Sequence, residues 1–490
     1  MAEVSLLEPS TRDLASRPDA APGSAAATFS VAGTRAATPL GQWSWALFQW
    51  ARDFGGIVIV VFIFAPYFTT TVIGDPVAGQ ALWGHLNAAA GAVTGLLGPV
   101  FGAIADGSGR RKPWLGLCVA TMAVTSTLLW WSMPGGAGLG LFWSSLTVVL
   151  YTIAYNFSDI FQSSMLPYVA PPDRVGFLSG LGVALAQAST VIGMSLLLYA
   201  FMLPGQVTWS FVPAHPLFNI DPALHENSRV AGPITAVWLL IFSLAFFLFT
   251  PDGVPTSHWS PKRSALSALA EVWQTVRSLR HYRNIATYLL ARMFFNDGLV
   301  AIMIFSSIYA AGTFRWSALT LTVFGILLSV VSSGGALFGG WLCDRIGAKR
   351  AIVAGVATAA LFLLLAISIS PHALFFVFAV TGTPVTDLPF FRTVPELVYA
   401  ALAIAASTAV IATFGSSRTL MARLVPPQKA SQFFGLYALS GSMTAFLGPE
   451  LVAATTSVFD SQRLGMASLL VLLCIGLAGM SFVREEARAR

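Results

Sequence analysis

Charge is scarce in this chain, and its scarcity excludes most soluble folds. Asp, Glu, Lys and Arg make up 10% of the 490 residues, against about 25% in a soluble globular domain. Cysteine is scarcer still. Cys118, Cys343 and Cys474 stand far apart, with neither a disulfide framework nor a metal-ligand spacing. The six histidines are scattered, without an H-x-x-x-H pair. A phosphate-cradling loop of the G-x-x-x-x-G-K-S/T type is missing, which argues against direct ATP drive. No clustered nucleophile, base or metal set appears, so an enzyme is disfavoured and no cofactor is expected.

What the chain has in abundance is apolar length. Hydrophobic residues make up 56% of it, in runs long enough to cross a bilayer. The pattern predicts an all-α integral membrane protein with twelve spans, at roughly 44–72, 81–105, 114–133, 139–166, 175–203, 233–250, 284–310, 318–342, 350–370, 396–421, 430–456 and 464–483. The net charge of +6 sits in the short loops between spans, so the expected partners are the lipid bilayer and a small solute rather than nucleic acid. Of the 27 Lys and Arg residues, only Arg229, Arg315, Arg392 and Arg463 fall in the loops of one side, and Arg52 and Arg292 fall inside spans. The positive-inside bias then puts both termini in the cytoplasm and the chain in a cell (inner) membrane. Residues 1–40, rich in Ala, Ser, Thr and Pro, read as a disordered cytosolic tail, and 485–490 as a short cytosolic one.

Two stretches repeat. Gly102-Ala-Ile-Ala-Asp106-Gly-Ser-Gly109-Arg110-Arg111-Lys112 returns as Gly340-Trp-Leu-Cys-Asp344-Arg345-Ile-Gly347-Ala-Lys349-Arg350, offset by 238. Pro171-Pro172-Asp173-Arg174 returns as Pro426-Pro427-Gln428-Lys429, offset by 255. The 17 extra residues fit a longer loop near Thr381–Pro395. The chain is thus two related halves, 41–250 and 284–484. Between them, 251–283 carries Leu266, Leu269, Trp273, Val276 and Leu279 at helical steps, as an amphipathic surface helix would. Glycines 107 and 109 allow two helices to join in a few residues, and Asp106 could reach a neighbouring helix N-terminus or a loop cation. The pattern G-x-x-x-D-x-x-G-R-R/K resembles the signature loop of the major facilitator superfamily. That resemblance implies two six-helix bundles around a central cavity, with Asp106, Gly109, Arg110, Arg111, Asp344 and Arg345 in a gating role.

The second span carries Gly84, Ala88, Gly91, Gly95, Gly98 and Gly102 on one face. Such a stripe suits close approach of another backbone, as static packing or as a sliding face.

Ionisable residues inside spans are costly, roughly 2.5–3.5 kcal/mol each on the lenient scale, and face an interior or a water cavity by default. Arg52, Asp53, Asp159, Arg292 and Asp297 are of this kind, with polar company from Asn87, Asn156, Gln187 and Asn296. Adjacent helical residues do not face each other, so Arg52 and Asp53 are expected to find partners on other helices, as are Arg292 and Asp297. Arg52, Asp53, Asp159, Arg292, Asn296 and Asp297 are the candidates for substrate binding or proton coupling. Buried structural ion pairs are the alternative.

Several stretches resemble the vacuole-effluxer-like branch of that superfamily: Trp45-Ala-Leu-Phe-Gln-Trp-Ala51, Phe64-Ala-Pro-Tyr-Phe68, Asn296-Asp-Gly298, Ser417-Arg418 and Phe433-Phe-Gly-Leu-Tyr437. The branch commonly has Asp-Trp-Ala-Asn-Ser in the first span, where this chain has Gln49-Trp50-Ala51-Arg52-Asp53. The resemblance implies secondary transport of a small polar or zwitterionic solute, amino acids being the best-known class. Alternating access by a monomer, with proton-coupled efflux, is the expected mode. A transport-inactive scaffold or sensor with the same fold is the alternative.

Overall fold

The computed structural model describes residues 29–30, 34–171, 174–253, 277, 282–425 and 430–485. Most of the expected N-terminal tail, nearly all of the expected 251–283 surface helix and the last five residues lie outside them.

Twelve helical elements follow one another, and nine of them are long and apolar enough to cross a membrane among the described residues. They are α1 (Pro39–Val72), α2 (Pro76–Ser108), α3 (Lys112–Leu128), α4 (Leu141–Val169), α5 (Val175–Leu197) and α6 (Ala231–Phe249) in the first half. The second half holds α7 (Arg283–Phe314), α8 (Ala318–Ile346), α9 (Ala348–Ile367), α10 (Val394–Leu424), α11 and α12 (Gln462–Phe482). Helix α11 is in two pieces, Ala430–Ser442 and Leu447–Phe459. Ends agree with the sequence reading to within a few residues. The extra loop of the second half is a β-hairpin, β1 (Ala373–Leu374) with β2 (Phe378–Ala379), and the coil after it. Just before α1, the Ala37 amide donates to the Val169 carbonyl at the end of α4.

Helix α1 is not regular. Gly56–Phe62 and Phe68–Val72 are wide π turns. Pro66 lies between them and brings no N–H, so the ladder must open there. Each half packs around buried aromatics, Trp45, Phe54 and Tyr151 in the first and Tyr288, Phe295 and Phe305 in the second. Leu96, Phe142, Leu248 and Val471 are exposed, as the lipid-facing side of a bundle requires.

The bundles meet along α2 with α11 and along α5 with α8. The small-residue stripe of α2 explains how closely. A Cβ on Gly84 would stand 2.6 Å from the Pro449 carbonyl oxygen, and one on Gly95 2.7 Å from that of Ser442. Gly102, further along the same face, has open space beside it. The contact therefore runs from the α1–α2 end of α2 to just past its middle.

Polar links between the bundles sit at that same end. Gln80 donates to the Thr456 hydroxyl at 2.9 Å and to the Gln462 carbonyl at 3.1 Å. Gln462 donates to the Pro76 carbonyl at 2.8 Å. The Ser307 hydroxyl donates to the Val61 carbonyl within the π segment of α1. His85 Nδ1 lies 3.0 Å from Glu450 Oε2.

Candidate functional site: intramembrane charges beside a central cavity

In the first bundle, Tyr155, Asp159 and Gln162 recur at helical steps on one face of α4, opposite Arg52 of α1. The guanidinium is 5% exposed and fully engaged. Its Nη1 donates to Asp159 Oδ1 at 2.8 Å and to Gln162 Oε1 at 3.4 Å. Its Nε donates to Asp53 Oδ1 at 2.7 Å, and the Tyr155 hydroxyl reaches the same oxygen at 3.1 Å. Gln162 is held in place by a reciprocal pair with Trp45, 3.0 Å in each direction.

One expectation is corrected here. Arg52 and Asp53 do pair, with Nη2 2.7 Å from Oδ1. The divergence argument applies at Cβ. The Arg side chain is long enough to curl back around the helix, and the Asp159 and Tyr155 groups favour that rotamer. Asp159 is the open member of the cluster, 55% exposed against 17% for Asp53. Asn156 donates to the Thr94 hydroxyl of α2 at 3.5 Å, and Asn87 to the Trp83 carbonyl of its own helix at 2.9 Å, so both serve packing.

The second bundle answers with a different arrangement. Arg292 of α7 is 7% exposed. Its Nη1 donates to the Tyr437 carbonyl at 2.9 Å and the Ser440 hydroxyl at 2.7 Å. The guanidinium lies 3.7 Å from the centre of the Tyr437 ring. Its Nε has no hydrogen-bond partner, and among the described residues no carboxylate pairs with it. Asp297, 2% exposed, sits elsewhere. Its Oδ2 accepts from the Gly448 amide at 2.7 Å. The break in α11 leaves the amides of its second piece unpaired, and a carboxylate there satisfies both the donors and the helix dipole. Gly298 next to it lets Leu473 of α12 approach closely, since a Cβ would meet that side chain at 2.9 Å. Asn296 is half-buried on the same turn.

Between the bundles lies a cavity lined by Ile57, Gln187, Ser306, Ser332, Tyr399 and Ser407, among others. Its lining carries hydroxyl and amide groups but no charge. Ile57 is four residues beyond Asp53 on α1, and the charged side chains of the two bundles are not part of the lining.

The repeated loops resolve into a pair of helix caps that sequence reasoning missed. The amides of Arg111 and Lys112 donate to Asp252 at 2.9 and 3.3 Å. Those of Ala348 and Lys349 donate to Glu485 at 3.1 and 2.9 Å. Lys112 and Lys349 reach back to carbonyls at the ends of α6 and α12. The amide ends of α3 and α9 are thus taken by acids that follow the last helix of each half, not by Asp344, and the Asp106 side chain lies outside the described residues. An acid directly after the sixth and twelfth spans was the available signal. Burial pushes the Glu485 carboxyl up, but the hydrogen bonds from Lys349, Arg423 and Ala348 outweigh it and hold the group below the usual carboxylate range. Gly109 and Gly347 take φ of 72° and 90°, which their turns require. Arg111 is buried over the Tyr168 ring at 4.3 Å, Arg345 lies over Trp341 at 4.6 Å, and Arg110 and Asp344 are exposed.

A family model described as vacuole effluxer Atg22 like matches residues 186–490. An uncharacterized transporter of the major facilitator type from Bacillus subtilis, YxiO, is 24% identical over 90% of this chain and 94% of its own length. Autophagy-related protein 22 of Cryptococcus neoformans is 24% identical over 63% of this chain, which spans about half of that relative, 50% of its length. Among solved structures, a bacterial homolog of the human lysosomal transporter Spinster aligns with a TM-score of 0.64 at 16% identity, covering 92% of this chain and 100% of that one. A D-xylose-proton symporter aligns with a TM-score of 0.61 at 13% identity, covering 90% and 96%. At such identities the likeness shows the fold alone, two pseudo-symmetric six-helix bundles of the major facilitator type.

Proposed function

This chain belongs to the Atg22-like vacuole effluxer family and is a membrane transporter of the major facilitator type; from that premise we propose that its cargo is a small zwitterion of the amino-acid class. The observation that carries this reading is the opposite charge of the two intramembrane clusters. Arg52 with Asp53 and Asp159 leaves one net negative charge on the first bundle, with Asp159 open. On the second bundle Asp297 is engaged at the break in α11, and Arg292 stands apart as a cation with carbonyl, hydroxyl and ring contacts that stabilise it without neutralising it. A solute with an ammonium and a carboxylate complements both. Asp159 would take the amine and Arg292 the carboxylate, while the uncharged cavity takes the remainder.

Transport proceeds by alternating access, one bundle rocking against the other, and proton-coupled efflux is the direction this reading adopts. Asp53 and Asp297 are the coupling candidates. Asp53 already shares Arg52 with Asp159, so a proton there would redistribute charge within the cluster. Both termini and the Arg110 and Lys349 loops are cytoplasmic in this reading. The transporters among its relatives support a carrier rather than a membrane enzyme.

The test is a thermal-shift screen of purified protein against amino acids, peptides, sugars and organic acids, followed by exchange in proteoliposomes. Amino acids should shift the transition and exchange, and Arg292→Gln and Asp159→Asn should each weaken binding tenfold or more. A response confined to sugars or organic acids overturns the cargo class. Binding without any exchange points to a sensor.

A further inference from the structure

The pair formed by His85 and Glu450 lies outside both charged clusters and outside the helix caps. His85 is on α2 and Glu450 on the second piece of α11, so their contact crosses from one bundle to the other at 3.0 Å. Nine residues separate His85 from the start of α2, and nine separate Glu450 from the end of α11, about 13 Å of helix in each case at 1.5 Å per residue. Both groups are therefore in the part of their helices toward the α1–α2 end, and exposures of 45% and 46% place them at the edge of the seam rather than inside it.

We propose that His85 and Glu450 form a protonation-sensitive latch that holds the two bundles shut at the α1–α2 end and opens in each transport cycle. Three features of the structure support it. The glycine stripe of α2 places the helices in backbone contact at this level, with Gly84 against Pro449, so the pair can exist only while the seam is closed. Glu450 is two residues beyond Gly448, whose amide is tied to Asp297 of α7, so the carboxylate moves with the second bundle as a rigid part. Among the described residues the other polar links the bundles make here, Gln80 with Thr456, Gln462 with Pro76 and Ser307 with Val61, are uncharged and do not respond to pH. The titratable groups on the surrounding elements are Asp75 at the α1–α2 turn, Asp297 on α7, and Asp460 and Arg463 at the α11–α12 turn. Among the described residues none of them pairs with His85 or Glu450.

The sign follows from the chemistry. Histidine ordinarily changes charge between pH 5 and 8. Protonated, it makes an ion pair with Glu450. Neutral, it keeps at most an ordinary hydrogen bond. Acid at this face strengthens the latch, and a rise in pH weakens it.

The experiment places spin labels at Ala78 and Val458, both exposed, on full-length protein in nanodiscs with the three cysteines replaced. Distance distributions are measured by electron paramagnetic resonance at pH 5.5 and 8.5. The wild-type separated population should rise about two- to fivefold with pH, the range a half-exposed ion pair supports. Glu450→Gln should show the raised population at both pH values. His85→Lys, which keeps a cation opposite Glu450, should stay closed at both. A wild-type distribution that ignores pH and matches Glu450→Gln overturns the latch. A pH response that survives in His85→Lys also overturns it, because another group must then carry the titration.

Discussion

The first bundle concentrates its chemistry on one guanidinium. Arg52 is buried and neutralised by two acids of unequal exposure, and the inequality separates their roles. Arg52→Ala leaves Asp53 without a cation in a buried setting, and should cost about 3–5 kcal/mol of stability. Asp159→Asn removes an exposed partner, and should cost no more than about 1 kcal/mol while weakening ligand binding. Thermal unfolding in detergent, with and without cargo, measures both. Equal destabilisation by the two changes would mean that Asp159 is a structural partner and not an open one. Asp297 reads differently. It caps the broken α11, so Asp297→Asn, which retains a weaker acceptor, should lower stability even in the absence of any gradient.

At the scale of helices, the glycine face of α2 works in two registers. Its first part is in contact with α11 and its last part is free. Gly95→Val should therefore push α2 and α11 apart near the middle of α2, since its side chain would meet the Ser442 carbonyl. Gly102→Val meets nothing in this conformation. If rocking closes the opposite end along the same face, the added side chain blocks that closure, and the variant should bind ligand but stop turning over. Label distances at both ends, read against exchange rates, test the pair of outcomes. The caps of α3 and α9 belong to this scale too. Glu485→Ala removes a side-chain cap, a loss of about 0.5–2 kcal/mol. The Glu485 carboxyl is held below its usual range, so its contribution is complete above the ordinary carboxylate pKa. It disappears as pH falls through the lowered value. The difference between wild type and Glu485→Ala should be full at pH 7 and vanish in strong acid.

For the whole molecule, the charge bias of the loops argues that the Arg110 and Lys349 loops face the cytoplasm. A cysteine placed at Ser108 should resist an impermeant reagent added outside intact cells, and one at Gly135 or Asp221 should react. The reverse pattern would invert the orientation, and with it the side on which the His85–Glu450 contact lies. With the expected orientation the seam is closed toward the outside, and the free end of the glycine face lies toward the cytoplasm. Acidity outside would then favour the state seen here.

Periodicity and composition alone determined the twelve helices, their order and the twofold repeat. A bilayer leaves the backbone no option but to satisfy itself within each helix, so most spans announce themselves as long apolar runs, nine of them among the described residues. The intramembrane ions were equally legible, because a charge in such a run has no ordinary reason to be there. Their partners were not. Arg52 curls onto its own neighbour, Asp297 serves a break in α11 whose mark in the sequence, Gly448-Pro449, does not say which side chain will cap it, and Arg292 lies against a carbonyl and a ring. Each of these depends on rotamers and on helices far apart in sequence. His85 and Glu450 are 365 residues apart. Only the closed seam between the bundles brings them together, through a backbone approach that the glycines permit but do not position.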